Sequence, residues 1–417
     1  MSGWIGADEA ARRLGVKPAT LYSYVSRGVL TRRKAEDGRS VFDAREVEQL
    51  ARKGRPRRRP GGNELVIESA VTLLGEDRHY YRGRDAIELA GGWQVEQVAT
   101  WLWFGLEPPA FTLDVDPWLG DDEAITAARH AQRALPRAVL RLERLQAIVA
   151  ALAVADPVRL NLEPAAVATV GQGIVAGMVD ALPERDEFDD PPPPRYLPVA
   201  PGVMRRDDTV HGRLWRKLAG EGADERLIDV LRFAMVLLAD HELAASTLAA
   251  RVAASVRADP YAVVTAGLGV TGGALHGGAS LAVESMLAEI RSPGLASYVM
   301  GERLRRGERV PGFGHAVYRS GDARGDALLE RIRRAVPDHP RLKVADALLD
   351  EARRRRLPAV NVDFALGLLT HLAQMPRGAG EAVFGVARTV GWLAHAMEEY
   401  AKPTRLRLRA AYTGPLE

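Results

Sequence analysis

Beyond residue 63 the chain is rich in Leu and Ala, and its apolar residues recur at steps of three and four. Leu227, Leu231, Met235 and Leu238 fall on one face of such a run, which predicts a helix with one buried side. Asp259-Pro260 places a capping side chain before a proline suited to the first helical turn, so a further helix is expected from Tyr261 or just before it. Alternation in steps of two is scarce after residue 70, no Asn-Gly turn occurs, and no repeat of fixed period is present. The body is therefore expected to be predominantly α-helical.

The first sixty residues have another pattern. Ala7 to Leu14 and Lys17 to Ser26 are short amphipathic stretches on either side of a turn containing Gly15, the layout of a helix-turn-helix. Arg32 to Val41 reads as a two-stranded wing with Asp37-Gly38 at its tip, because that dipeptide accepts positive φ. A third helix is expected within GRSVFDAREVEQL. The stretch IGADEAARRLGVKPATLYSYVSRGVL and its wing resemble the winged-helix modules of the MerR and excisionase type. Gly54 to Gly62 (GRPRRRPGG) reads as a linker, giving a module over residues 1–53, a linker over 54–62 and a body over 63–417. Pro183 to Pro201, with four consecutive prolines, reads as a surface loop within the body.

Charge sharpens this division. Residues 1–60 hold 15 Lys and Arg against 7 Asp and Glu, leaving 42 against 47 in the rest, so a basic module precedes a mildly acidic body. On the DNA-binding reading, Arg27, Arg32, Arg33, Arg39 and the arginines at 55–59 meet phosphates, while Thr20, Tyr22 and Ser23 lie along a helix in the major groove. The alternative is a solvated basic face used for protein contacts. At 417 residues with 47% apolar composition the chain is long enough for more than one core. With no run of eighteen uncharged apolar residues and no apolar N-terminal segment, it is expected to be cytoplasmic, with no membrane partner. The absence of cysteine excludes disulfides, thiolate metal sites and a cysteine nucleophile, leaving chemistry to His, Asp, Glu, Arg and Ser.

Four stretches carry candidate chemistry: LLADHELAASTLAAR with His241 late in a helical run, GGALHGGAS around His276, VPGFGHAVYR around His315, and VNVDFALG around Asp363. His276 precedes a helical pattern near Leu281, so its imidazole is expected near a helix N-terminus and neutral, able to donate to a developing enolate. Singly, each has a plainer reading: a loop or capping histidine at 276, a glycine turn at 315, an N-cap at Asp363. His241-Glu242 opens a zinc-protease pattern, but Ala245 stands where its second histidine is required, so no metal site is expected. Gly267 to Gly272 matches the dinucleotide fingerprint in letters, yet follows a helical segment rather than a strand.

Taken together and in order, these stretches, with ELVIESAVTLLGEDRHYYRGRDAIELA before them and FGVARTVGWLAHAMEEYAKPTRLRLRAAYTG after them, resemble the citrate synthases over roughly residues 64–414. The resemblance implies a helical large domain with a small helical domain inserted at about 270–375. It implies condensation of acetyl-CoA with oxaloacetate, without metal or organic cofactor. Asp363 would abstract the methyl proton, His276 would stabilise the enol or enolate, and His315 would polarise the oxaloacetate carbonyl. His241, Arg324, Arg388 and Arg407 would hold oxaloacetate, Arg407 coming from the partner in a homodimer. Arg319 would meet a coenzyme A phosphate, and the backbone at Val310, Gly312 and Gly314 its adenine.

The sequence departs from the family in two motifs. Ala244 stands where DHExNAST has asparagine, and GGANE reads GGASL, with Ser280 and Leu281. Two alternatives accompany the citrate synthase reading. One is a 2-methylcitrate synthase using propionyl-CoA, since one methylene changes discrimination by only about 1–3 kcal/mol. The other is a DNA-binding regulator that senses oxaloacetate or acyl-CoA through a synthase-like body.

Overall fold

A computed structural model describes residues 4–14, 16, 18–26, 28–35, 38–44, 46–47, 50, 66–107, 117–185, 209–220, 224–318, 321–407, 410 and 412–414. The chain forms two compact units, residues 1–68 and 69–417.

In the first unit, β1 (Trp4–Gly6), α1 (Ala7–Arg13), α2 (Pro18–Ser26), β2 (Arg32–Lys34) and β3 (Ser40–Asp43) enclose a small core of Ala10, Leu21, Tyr24, Leu30, Phe42 and Val47. The expected helix-turn-helix and wing are present, with Arg32 opposite Phe42 and Lys34 opposite Ser40. Ala44, Glu46, Val47 and Leu50 are helical, as expected of the third helix. The pattern did not foretell β1, which pairs with the other edge of β3. Three residues are too few to show alternation, and tertiary pairing makes the strand. Arg27, Asp37, the arginines at 55–59 and the linker 54–62 lie outside the described residues.

The second unit is helical: α3 (Ala86–Gly92), α4 (Val95–Phe104), α5 (Asp122–Gln132), α6 (Arg141–Ala155), α7 (Pro164–Ala181), α8 (Val210–Ala219), α9 (Glu225–Leu238), α10 (Ala245–Ser255), α11 (Pro260–Thr271), α12 (Gly278–Glu289), α13 (Ala296–Arg305), α14 (Ala323–Ala335), α15 (Pro340–Arg354), α16 (Val362–Leu372) and α17 (Ala379–Tyr400). Asp259 caps α11 by accepting from the Ala262 amide, with Pro260 in its first turn, as the sequence predicts. α7, the one helix among the described residues long and apolar enough to cross a membrane, is packed among α5, α6, α8 and α17. Most of the Pro183 to Pro201 stretch lies outside the described residues.

Within the predominantly helical body, where alternation is scarce, β4 (Thr72–Leu74), β5 (His79–Tyr81) and β6 (Arg84–Asp85) form a three-stranded meander ahead of α3. Its strands are too short to show a period. The Tyr81 hydroxyl donates to the Val236 carbonyl (2.9 Å) and accepts from the Asp240 amide (3.1 Å), which fixes the end of α9.

α17 is buried along almost its whole length against α4, α6, α7, α9, α10 and α11. A Cβ on Gly391 would collide with the Ala239 carbonyl and the Asp240 carboxylate, so glycine lets α17 lie directly on the turn that carries His241. Beside it, fully buried Arg251 donates to Glu399 (Nε to Oε1, 2.8 Å) and Glu398 (2.7 Å), and the His395 ring lies 3.2 Å from Asp240. Buried charges are tolerated where they are paired and hydrogen-bonded in this way.

Candidate active site

His241 is not in a helix: α9 ends at Leu238, and His241 lies in the tight connection before α10. The apolar periodicity runs on past the chain reversal, but the Tyr81 hydroxyl occupies the end of α9 and Glu242 takes positive φ (54°), so the helix stops. His241 Nε2 is 2.8 Å from the Tyr318 hydroxyl, and its ring stands edge-on to that of His315 with centroids 5.4 Å apart. Burial first, then Arg324 and His79, hold His241 well below the ordinary imidazole range.

His315 stacks on Tyr318. Its Nδ1 accepts from the amides of Val317 (3.0 Å) and Tyr318 (3.3 Å), and burial followed by Arg324 pushes its pKa down to about 4. The neutral ring therefore carries its proton on Nε2. That nitrogen lies 3.3 Å from Nη2 of Arg324, so two donors face each other. Arg324 is itself held by Asp322 through two bonds (Nε to Oδ1, 2.8 Å; Nη2 to Oδ2, 2.9 Å). Asp322 also accepts from the Val362 amide at 3.1 Å, tying this arginine to the start of α16.

His276 closes the glycine turn between α11 and α12, its amide donating to the Gly273 carbonyl at 2.9 Å. α12 begins at Gly278, a little ahead of the Leu281 expectation, and His276 stands just before it as the sequence predicts. Its Nε2 lies 2.7 Å from Ser246 Oγ, which accepts from the Trp392 indole at 3.3 Å. Ser246 Oγ can donate its proton to Nε2 or accept from it, and in the first arrangement the neutral ring holds its hydrogen on Nδ1. Burial, then Arg388, pushes the His276 pKa down to about 4. The ring packs edge-on against Phe384, on whose other neighbour, Arg388, the guanidinium sits 4.4 Å from the Phe384 centroid. Arg388 Nε donates to the Leu238 carbonyl at 2.7 Å.

Asp363 occupies the first turn of α16 but is not its cap. Asn361 is, its Oδ1 accepting from the amides of Asp363 (3.1 Å) and Phe364 (3.3 Å). Asparagine two residues earlier caps as well as aspartate does, which leaves the Asp363 carboxyl uncommitted. Burial raises its pKa to about 6, Asp322 adding to the rise while Arg324 and Arg388 oppose it. The same Asn361 donates from Nδ2 to the Gly314 carbonyl (2.8 Å), and its amide donates to the Gly312 carbonyl (3.0 Å). Gly312 and Gly314 both have positive φ (84° and 82°), which lets this loop pair with residues 359–361 and packs Phe313 against Phe364 of α16. Val310 is buried at the start of the loop. Arg319 lies outside the described residues, and Arg407 is exposed in the segment after α17, contributing to none of these contacts.

The structure thus gathers His241, His315, Arg324, Asp363 and Arg388 into one electrostatically coupled group, with His276 on its Arg388 side. Gly267 to Gly272 lies in the last turn of α11 and at its cap, with no strand before it. Sequence reading passed over Tyr318, Ser246, Asn361 and Phe384, which lie inside stretches it singled out, and also Asp322. His79, fully buried with its ring centroid 5.6 Å from that of His241, lies in the opening stretch that carries only the resemblance and has no role assigned there. In the first unit, β2 is exposed along its length, Arg33 covers Trp4 (4.1 Å), Arg32 lies over Tyr22 (5.6 Å), Arg39 is exposed, and Thr20 lies on α2.

Ala244, the N-cap of α10, offers no side-chain acceptor. Ala244→Asn is expected to stabilise the protein by about 1 kcal/mol, read as a higher midpoint in denaturant unfolding. An unchanged or lower midpoint would count against the missing cap.

The family model for the citrate synthase C-terminal domain matches residues 62–409, and that for the MerR helix-turn-helix regulatory proteins matches residues 7–52. The citrate synthase of Haloferax volcanii is 30% identical over 375 residues, covering 84% of this chain and 94% of its own. The 2-methylcitrate synthase 1 of Corynebacterium glutamicum is 28% identical over 346 residues, covering 80% and 88%. Among solved structures, citrate synthase of Thermotoga maritima superposes with a TM-score of 0.67 at 26% identity, covering 85% of this chain and 95% of that one. That of Thermoplasma acidophilum, in a ternary complex with carboxymethyl coenzyme A and oxaloacetate, gives 0.69 at 25% identity with the same coverage. The body is accordingly that of a helical acyl-transferring enzyme. The chain belongs to the citrate synthase family and carries a MerR-type helix-turn-helix module ahead of it.

Proposed function

We propose that this protein condenses acetyl-CoA with oxaloacetate to give citrate and free coenzyme A, without a metal or organic cofactor. Asp363 takes a proton from the acetyl methyl group, and the Nδ1–H of His276 donates to the enolate oxygen. The enol carbon attacks the oxaloacetate carbonyl, whose oxygen is polarised by His315. Water then hydrolyses the condensed thioester. His241, Arg324 and Arg388 hold oxaloacetate, with Arg407 supplied by the second subunit of a homodimer. Arg319 and the backbone at Val310, Gly312 and Gly314 receive coenzyme A.

One observation carries this reading: the facing donors of His315 Nε2 and Arg324 Nη2, 3.3 Å apart beside a carboxyl raised to about 6. An oxygen that accepts from both relieves their mutual exposure, and a keto dicarboxylate brings such oxygens with charge that guanidinium groups match. Thiol release from acetyl-CoA and from propionyl-CoA, each with oxaloacetate, tests the proposal and separates citrate from 2-methylcitrate formation. No release from either thioester, in protein that binds coenzyme A, would instead make the body a sensor.

The exposed arginines of β2 favour a second role, binding of DNA by the first unit. Removal of residues 1–60 is expected to leave condensation intact and to abolish DNA retention that weakens steeply with salt. Retention that ignores salt, or survives the deletion, argues for another use of the module.

A further inference from the structure

We infer that Glu284 is a positioning residue for the condensation proposed above: its buried carboxylate fastens the helix that follows His276 to the two helices that carry Asp363 and Arg388. The inference rests on that reading of the site. α12 starts two residues after His276, and its inward face presents Ser280, Val283, Glu284 and Leu287, all buried. Gly367 lies one turn beyond Asp363 on α16. A Cβ there would stand 2.7 Å from Val283 Cγ1 and 3.2 Å from the Ser280 carbonyl, so α12 rests directly on the α16 backbone at this glycine. Gly380 lies two turns before Arg388 on α17, and a Cβ there would stand 3.0 Å from Glu284 Oε1 and 3.0 Å from Ser280 Oγ. Three elements of the site therefore meet around one carboxylate.

That carboxylate is fully used at the junction. Oε2 accepts from the Gly378 amide at 2.8 Å, and Oε1 accepts from the Gly380 amide at 2.9 Å and from the Thr370 hydroxyl of α16 at 3.1 Å. Gly378 is the left-handed N-cap of α17 and has no side chain to satisfy the first amides of its helix, so Glu284 does this from another helix. Burial works against its charge, and Glu381 beside it, packed near Glu143 and Arg377, is pushed up to about 7 by burial and then by Glu284. Packing alone does not call for buried acids, because an apolar side chain of similar volume holds helices together at lower desolvation cost. What the carboxylate adds is direction: three donors on two helices fix both the angle and the height of α12.

Glu284→Leu and Glu284→Gln in the full-length protein test this. The Leu variant is expected to lose about tenfold or more in kcat through misplacement of His276. Its KM for oxaloacetate should stay within about twofold, because His241, His315 and Arg324 do not hang on α12, while its unfolding midpoint should fall, because the donors that Glu284 served are left without an acceptor. The Gln variant keeps one acceptor oxygen and should recover part of the lost rate. Hydrogen exchange should quicken in the Leu variant at the Gly378 and Gly380 amides and through residues 276–280. An unchanged kcat, an oxaloacetate KM that rises as much as kcat falls, or unchanged exchange overturns the inference, as does a Gln variant no better than Leu. A parent protein that releases no thiol overturns the functional reading instead, and exchange then still decides whether the clamp exists.

Discussion

Asp363→Asn is expected to lower kcat by about 10²–10⁴-fold, the span that a positioned general base supplies. Asparagine has the same shape and cannot accept the methyl proton, so the KM for oxaloacetate should change little. The pH dependence has a defined sign. The base works when ionised, and its carboxyl is raised to about 6, chiefly by burial. In the parent, kcat/KM should therefore rise through about pH 6 and level off above it, and the residual activity of the variant should lack that limb. His276 and His315, both held down at about 4, stay neutral across this range and add no limb near neutrality. Stability runs the other way. A raised carboxyl pKa means that the folded protein holds a proton the unfolded chain has released, so its contribution is present at low pH and is lost as pH rises through about 6. Asp363→Asn should thus be more stable than the parent at neutral pH. Loss of activity together with loss of neutral-pH stability would show that the substitution disturbs the fold, not the base.

The second large effect is structural. Asp322 is buried, grips the Arg324 guanidinium at two points, caps α14 by accepting from the Arg324 amide, and accepts from the Val362 amide. Asp322→Ala leaves a buried arginine without its carboxylate, and removal of one partner from such a pair costs about 3–5 kcal/mol. Asp322→Asn keeps neutral acceptors in place and should cost less. Protein that remains folded should bind oxaloacetate more weakly, because Arg324 loses the partner that aims it past His315. Denaturant unfolding and the oxaloacetate KM read the two consequences separately. An Ala variant within about 1 kcal/mol of the parent would mean that water or a shifted side chain satisfies Arg324.

How far the sequence reached differs from one element to another. The periodicity at Leu227, Leu231, Met235 and Leu238 and the Asp259-Pro260 start of α11 are local properties, fixed by neighbours three and four residues away, and the structure has both. The helix-turn-helix and its wing were equally local. β1, the meander of β4 to β6, and the end of α9 before His241 were not, because each depends on a partner far away in the chain. Tyr81, for example, stops α9 from 155 residues earlier.

The site divides in the same way. By itself the sequence determined which residues could carry the chemistry: the histidines, Asp363 and the arginines stand in motifs whose order points to one family, and the lack of cysteine removes whole mechanisms. The tertiary structure alone decided what state those residues are in. It put Asn361 at the cap so that the Asp363 carboxyl stays uncommitted, gave His315 two amide donors that choose its tautomer, and set Ser246 against His276. It also brought Glu284 to the junction of three helices. Tautomer, charge state and orientation follow from burial and from hydrogen-bond partners, and these come from residues distant in the chain, which no local pattern records.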